Sequence, residues 1–342
     1  MPTRVNRRWL IAKPLEGMLS EANFRWAESP VPKVGEGQFL VHNRWLSVDP
    51  TQALLLRAGD PPGSAVPIGE SPWSLAVSEV VESRHPDFSP GDIVHGEMTW
   101  EDYSLTDGTG FNPAFRVPDG VPLNWAAGAL GLTGLVAYFG VHEVAQPKAG
   151  ETFVISGAAG GVGSIASQLA NIYGLRVIGI AGSPAKCDWL LKEAGVDAVI
   201  NYHQEDVGRR LTELSPDGID IFFDTVGGPI LEIALERLRT GGRVVLCGIT
   251  SQYLANSPTP GPANLVQLIM VHGRMEGFLG RDFIPRRTEA FEALLPLLRS
   301  GRLQSKEDVL VGLKEAPKGL VRLLSGENVG KQLVRVDDPP GT

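Results

Sequence analysis

The residues best placed to do chemistry start at one short stretch, Gly157-Ala158-Ala159-Gly160-Gly161-Val162-Gly163. An apolar run, Thr152 to Ser156, precedes it, and Ser164 to Ala170 follows with a helical mix of residues. A second apolar run spans Leu175 to Ala181. Strand, glycine-rich turn, helix and strand is the context in which such a turn holds a dinucleotide. The spelling is Ala158-x-Gly160-x-x-Gly163, with alanine where the first glycine usually stands. Gly160 would let the backbone approach a pyrophosphate, and Gly163 would let the helix pack against the strand. Gly161 and Val162 complete the loop at a helix N-terminus, whose unpaired N–H groups and positive dipole end suit a diphosphate. With 41 glycines in the chain, the turn alone is a weak signal, and an ordinary strand-to-helix turn is the alternative.

The end of the second strand selects the dinucleotide. An NAD site usually places Asp or Glu there to accept from the ribose 2′-OH. This chain reads Ile180-Ala181-Gly182-Ser183-Pro184-Ala185-Lys186, with no carboxylate. A 2′-phosphate would meet a hydroxyl at Ser183 and a cation at Lys186. The expected cofactor is therefore NADPH/NADP, unless Lys186 only decorates a solvent-facing helix.

These residues need a scaffold. From Leu123 onward strands and helices alternate: helices over Pro184–Ala194, Glu205–Leu214, Pro229–Arg239 and Arg286–Leu298, strands over Asp197–Ile200, Asp220–Asp224 and Arg243–Cys247. That spacing predicts an α/β class with a Rossmann-type doubly wound parallel sheet. Asn124 to Phe139 reads as a buried helix. Ligands of such sheets sit outside the strands' carboxyl ends. Three such ends matter: Gly157–Gly163, Asp224–Gly228, and Cys247-Gly248-Ile249-Thr250-Ser251-Gln252-Tyr253. Residues up to about Pro122 look β-rich, with strands over Phe39–Leu46 and Ser74–Glu82. Pro- and Gly-rich turns lie at Ala58–Gly63, Phe88–Asp92 and Val117–Gly120. A last strand is expected over Gln332–Val336.

Composition narrows the class. The chain has 342 residues, enough for about two domains, with 43% hydrophobic and 20% charged residues, as soluble globular proteins have. A net charge of −8 argues against a nucleic-acid surface. The two cysteines, Cys187 and Cys247, form no disulfide framework, which fits a reducing, cytoplasmic setting. The apolar run Trp9–Ala12 is too short for a signal peptide. Ala126–Val141 is glycine-broken and shorter than the ~20 residues of a membrane span.

The chain resembles the medium-chain dehydrogenase/reductase superfamily over nearly its whole length. It is most similar to the zinc-independent branch of prostaglandin reductases (leukotriene B4 dehydrogenases), plant enone double-bond reductases and curcumin-reductase-like enzymes. The resemblance rests on Leu46–Pro50, Gly131–Gly140, the Ala158–Gly163 fingerprint, Ala181–Ser183, Asn201-Tyr202, Asp224–Gly228, Arg274–Phe278 and Asn328–Lys331. It implies a GroES-like substrate domain over 1–122, completed by about 300–342, and a Rossmann NADP-binding domain over 123–299, with the active site in a cleft between them. It also implies a homodimer. In the family pattern Lys186 and Tyr202 contact the 2′-phosphate and Thr133 lies by the nicotinamide. Asn328 contacts the nicotinamide half, Cys247, Gly248 and Phe278 line the cofactor, and Tyr253 matches an active-site tyrosine.

Zinc-dependent members carry Cys-x-x-Asp and Gly-His-Glu, where this chain has Leu46-Ser47-Val48-Asp49 and Gly69-Glu70-Ser71. A catalytic zinc needs three protein ligands, and the six histidines show no ligand-like spacing. Without metal, the fitting chemistry is reduction of the C=C bond of an α,β-unsaturated ketone or aldehyde, by hydride transfer to the β-carbon. Charge then develops on the carbonyl oxygen, where Tyr253 would donate, alone or with a ribose hydroxyl. A tyrosine that only packs over the cofactor is the alternative. Family members usually continue Asp-Pro with Tyr-Met-Arg, but this chain has Thr51-Gln52-Ala53, and Thr225 stands where asparagine is common. Thr51 and Tyr253 are expected to line the substrate pocket. Trp73, Trp100 and Tyr103 could replace the lost aromatic wall, Trp100 in a Gly-Trp-x-x-Tyr-like region where core packing is the other reading. Two rival functions remain: a quinone reductase, and an NADPH-binding protein without turnover.

Overall fold

The computed structural model describes residues 5–15, 17–57, 65–254 and 260–337. It divides into two compact units. The first is Met1–Gly131 with Glu307–Asn328 and Gln332–Thr342; the second is Leu132–Lys306 with Val329–Lys331. The expected turn at Ala58–Gly63 lies outside the described residues.

The first unit is antiparallel. Strands β1 (Val5–Ile11) and β2 (Phe24–Pro30) form a two-stranded ribbon. Strands β3 (Phe39–Ser47), β4 (Trp73–Ser83), β5 (Ile93–Thr99), β6 (Tyr103–Thr106) and β7 (Phe115–Arg116) build the larger sheet. Helix α1 (Leu123–Ala127) packs on β3 and β4, so the unit extends to Gly131 rather than ending near Pro122. The single helix expected over Asn124–Phe139 is therefore broken. Gly128 leaves helical geometry, and a Cβ on Gly131 would lie 2.8 Å from the Ala126 carbonyl.

The second unit starts at α2 (Leu132–Phe139), which runs into a wide π-turn over Gly140–Ala145. Strands and helices then alternate: β8 (Thr152–Ile155), α3 (Gly161–Ile172), β9 (Arg176–Ala181), α4 (Pro184–Lys192), β10 (Ala198–Asn201), α5 (Val207–Leu214), β11 (Ile219–Asp224), α6 (Pro229–Glu236) and β12 (Leu238–Leu246). A short α7 (Val266–Met270), β13 (Arg274–Gly277) and α8 (Arg287–Arg299) complete it. The six strands are parallel, in the order β10-β9-β8-β11-β12-β13. Numbered within the unit this is 3-2-1-4-5-6, the doubly wound order whose switch point lies between β8 and β11.

Both faces of this sheet are covered. Val154 and Phe222 join a core with Val207 and Leu211 of α5 and Leu231 and Leu235 of α6. Their neighbours Phe153 and Phe223 point the other way, where the Phe223 ring would meet a Cβ on Gly140 at 2.8 Å. Each fully buried phenyl contributes about 2–3 kcal/mol of transfer free energy. Apolar runs such as Phe153–Ile155 and Ile221–Phe223 are what a sheet covered on both faces requires.

The chain then returns to the first unit with β14 (Glu307–Val311) and α9 (Ala316–Leu324). Strand β15 (Lys331–Arg335) pairs antiparallel with β3. The tail thus completes the antiparallel sheet.

Candidate functional site

Fingerprint geometry follows from two close approaches. A Cβ on Gly163 would sit 2.2 Å from the Gly157 carbonyl oxygen, so only glycine lets α3 start where it does. Gly157 has φ +59, and its own Cβ would lie 2.4 Å from Thr225 Oγ1. Ala158, the departure from the usual spelling, is fully buried, and its N–H donates to Ile180 O at 3.1 Å. The first helical bond of α3 runs from Ser164 N to Gly160 O at 2.9 Å. The N–H groups of Gly161, Val162 and Gly163 precede it and face out of the helix end, as a diphosphate needs. Thr133 lies beside this end, its Cγ2 3.1 Å from where a Cβ on Gly161 would be.

At the end of β9 the expected residues gather. Tyr202, 43% exposed, lays its ring against Gly182; a Cβ there would be 2.7 Å from the phenol oxygen. The Ser183 hydroxyl caps α4 by accepting from Lys186 N at 3.4 Å. It keeps its own proton free to donate. Lys186 is half-buried one turn into α4. The residues present fit a dinucleotide that carries a phosphate on its adenosine ribose.

The far ends of β11 and β12 hold the other candidates. Cys247 and Gly248 donate their N–H groups to Asp224 O at 2.9 and 3.1 Å. Burial, with Asp224 adding to it, pushes the Cys247 thiol up to about 12, so it stays protonated. Tyr253 follows a 3₁₀ turn, Thr250–Gln252, and is partly buried. Burial raises its phenol above the ordinary value, against a hydrogen bond from the Ile249 backbone. Phe278 follows β13 and stands edge-on to Phe283, with ring centroids 6.0 Å apart. Asn328 is buried at the point where the chain leaves the antiparallel unit for Val329–Lys331.

The pocket residues proved less simple. Trp100 is fully buried and packs on Phe24 at 5.1 Å between ring centroids, so it is core rather than pocket wall. Tyr103 is likewise core, stacked on His42; Trp73 is half-buried against Phe111. In the divergent segment only Thr51 is exposed. Gln52 turns inward, where its Oε1 accepts from Asp49 N at 3.1 Å and its Nε2 donates to Trp73 O at 3.1 Å, and Ala53 is fully buried. Among the described residues no group of three His, Cys, Asp or Glu is placed to hold a metal, and no helix is long and apolar enough to cross a membrane.

One contributor escaped the sequence reading as a site residue. Gly330 N donates to Ala159 O at 2.8 Å, and the Lys331 stem lies 3.0 Å from a Cβ built on Gly161. The Asn328–Lys331 motif was the available signal, but its approach to the fingerprint is a tertiary fact.

The two glycines of the fingerprint should fail differently. At Gly160 a Cβ meets only the Gly157 carbonyl oxygen, at 3.2 Å, and φ is −84. Gly160→Ala is therefore expected to keep its melting temperature within a few degrees while dinucleotide affinity falls at least about tenfold. Gly163→Ala should lose about 1–3 kcal/mol of stability as well. Thermal unfolding and fluorescence titration separate the two outcomes.

Known proteins resemble the chain along most of its length. Residues 7–114 match the family described as N-terminal domain of oxidoreductase, and residues 161–300 the family described as zinc-binding dehydrogenase. The chain is 35% identical to NADPH-dependent curcumin reductase of Escherichia coli, covering 97% of each. It is 40% identical to NADP-dependent 2-alkenal reductase of Nicotiana tabacum over 88% of each. The crystal structure of CurA with NADPH from Vibrio vulnificus superposes with a TM-score of 0.91 at 32% identity, covering 97% of this chain and 100% of that one. The chain belongs to the medium-chain dehydrogenase/reductase superfamily, in the branch of the curcumin, alkenal and prostaglandin reductases.

Proposed function

We infer that this chain is an NADPH-dependent reductase of the C=C bond of α,β-unsaturated ketones and aldehydes, working without a metal. The observation that carries the reading is identity of 35–40%, over 88–97% of the chain, to reductases named for curcumin and 2-alkenals, joined to a cofactor corner that suits a 2′-phosphate. The Leu46–Asp49 and Gly69–Ser71 segments lack thiolate and imidazole ligands for zinc.

NADPH, when bound, would supply a hydride for the substrate β-carbon, and water would supply the proton that completes the α-carbon. The protein's part is positioning and charge stabilisation. The α3 N-terminus holds the diphosphate, while Ser183, Lys186 and Tyr202 hold the 2′-phosphate. Thr133 steadies the nicotinamide half. As negative charge collects on the substrate carbonyl oxygen, Tyr253 donates a hydrogen bond to it from its phenol. Burial keeps that phenol protonated, so it acts as a donor and not as a base. Thr51 borders the substrate pocket, with no aromatic ring at its own position.

We also propose that the chain forms a homodimer. Among the described residues strand β13 is an edge of the parallel sheet, and Val266, Ile269 and Met270 of the neighbouring α7 are exposed. Antiparallel pairing of two such edges about Met275 sets arginine 274 against glutamate 276. Such burial of edge and apolar patch fits a second copy.

Three measurements test these readings. Reduced-nicotinamide absorbance, followed with small and bulky enones, quinones and simple aldehydes, should fall with enones. Tyr253→Phe should then lower kcat about 10–100-fold with NADPH affinity kept. Activity on quinones alone would reassign the reaction, and full turnover by Tyr253→Phe would remove the tyrosine's role. Lys186→Ala should weaken NADPH about tenfold or more and leave NADH unchanged; equal losses would refute the 2′-phosphate contact. Sedimentation should give a mass of two 36.7 kDa chains, and Ile269→Lys should give one; a monomeric parent protein would end the dimer reading.

A further inference from the structure

Asp224 ends β11 inside the protein, with no exposed surface. Its Oδ1 accepts three hydrogen bonds: from Ser156 Oγ at 2.6 Å, Val226 N at 3.0 Å and Gly227 N at 2.9 Å. Its Oδ2 has no hydrogen-bond partner among the described residues. Burial pushes this carboxyl above the usual carboxylate range, and the three hydrogen bonds only partly pull it back. A half-satisfied buried carboxylate is costly, and an apolar residue of similar size would remove that cost.

The network around it connects two parts of the site. On one side is the fingerprint. Ser156 is the last residue before Gly157, and its Oγ both donates to Asp224 and accepts from Thr225 N at 2.8 Å. Thr225 Oγ1 donates back to Ser156 O at 2.9 Å. On the other side is the tyrosine loop. Thr250 N and Oγ1 donate to Thr225 O at 3.3 and 3.2 Å, and Ser251 N and Oγ donate to Val226 O at 3.1 and 2.5 Å. The turn between them carries φ +74 and +65 at Gly227 and Gly228. Its convergent N–H groups form a concavity that an anion stabilises.

We propose that the Asp224 carboxylate is a positioning residue that clamps the fingerprint loop to the turn bearing the Tyr253 loop. The cofactor-binding backbone and the phenol are thereby held in one frame. Charge, and not only shape, is what the two N–H groups and the Ser156 hydroxyl require. The functional consequence rests on the Tyr253 role proposed above; the clamp itself does not.

Asp224→Asn keeps the shape and one acceptor oxygen but removes the charge, and Ser156→Ala removes the bridging hydroxyl with little change in volume. In both, amide hydrogen exchange at 225–228 and 247–252 should quicken about tenfold, while 187–192 in α4 stays unchanged. Exchange that rises everywhere, or nowhere, overturns the clamp. In a double-mutant cycle, Asp224→Asn should lower kcat about tenfold in the parent protein and less than about twofold in Tyr253→Phe. Equal factors in both backgrounds overturn action through Tyr253. If Tyr253→Phe alone turns over normally, the reading of that tyrosine fails, and the exchange data still decide the clamp.

Discussion

The Gly157 carbonyl oxygen stands 2.2 Å from where a Cβ on residue 163 would be. Nearly everything functional in the parallel-sheet unit depends on that approach. It brings the first turn of α3 onto the end of β8, at the switch point of the sheet, and exposes three N–H groups in one direction. It also leaves room for Val329–Lys331 to lie against Ala159 and Gly161. A side chain at 163 would open the turn and move both the helix end and the returning segment.

Much of this was legible in the sequence because local rules sufficed. The strand–turn–helix–strand order, the glycine positions and the strand alternation follow from patterns within about fifteen residues. β8, β9 and β11 fall within a residue or two of their expected bounds. The missing carboxylate after β9 is likewise a local fact. What stayed hidden is tertiary. The break between α1 and α2 comes from contacts of Gly131 with the Ala126 carbonyl and His95. β12 begins at Leu238, inside the expected helix, because pairing with β11 overrides the helical pattern of Leu235–Arg239.

The pocket shows the same limit from another direction. Trp100 and Tyr103 offered the right chemistry for an aromatic wall, yet burial against Phe24 and His42 removes both from any surface. Sequence pattern cannot tell an aromatic that lines a pocket from one that fills a core. The Thr51-Gln52-Ala53 departure also reads differently once folded. Gln52 takes an internal role, capping Asp49 and bonding the Trp73 carbonyl. Only Thr51 is left at the surface, so the change is one of a single exposed position and not of three.

The electrostatics around β11 and β12 agree with hydride addition. Burial pushes Cys247 and Tyr253 alike toward their neutral forms, while three hydrogen bonds offset part of the same effect at Asp224. A region that disfavours charge on its own groups has a low effective dielectric, where a hydrogen bond to a developing oxyanion is stronger than in water. The proposed reaction asks for that and for one proton, which water supplies to the α-carbon as the enolate collapses: no base removes a proton from the enone, and the carbonyl oxygen needs one donor that is still protonated when charge arrives. A phenol with a raised pKa is a weaker acid than a free one, so it is better suited to stabilise the oxygen by hydrogen bonding than to complete a proton transfer. In the proposed mechanism Tyr253 would lower the barrier by where it stands, which would make the rigidity of the loop that carries it as important as its chemistry.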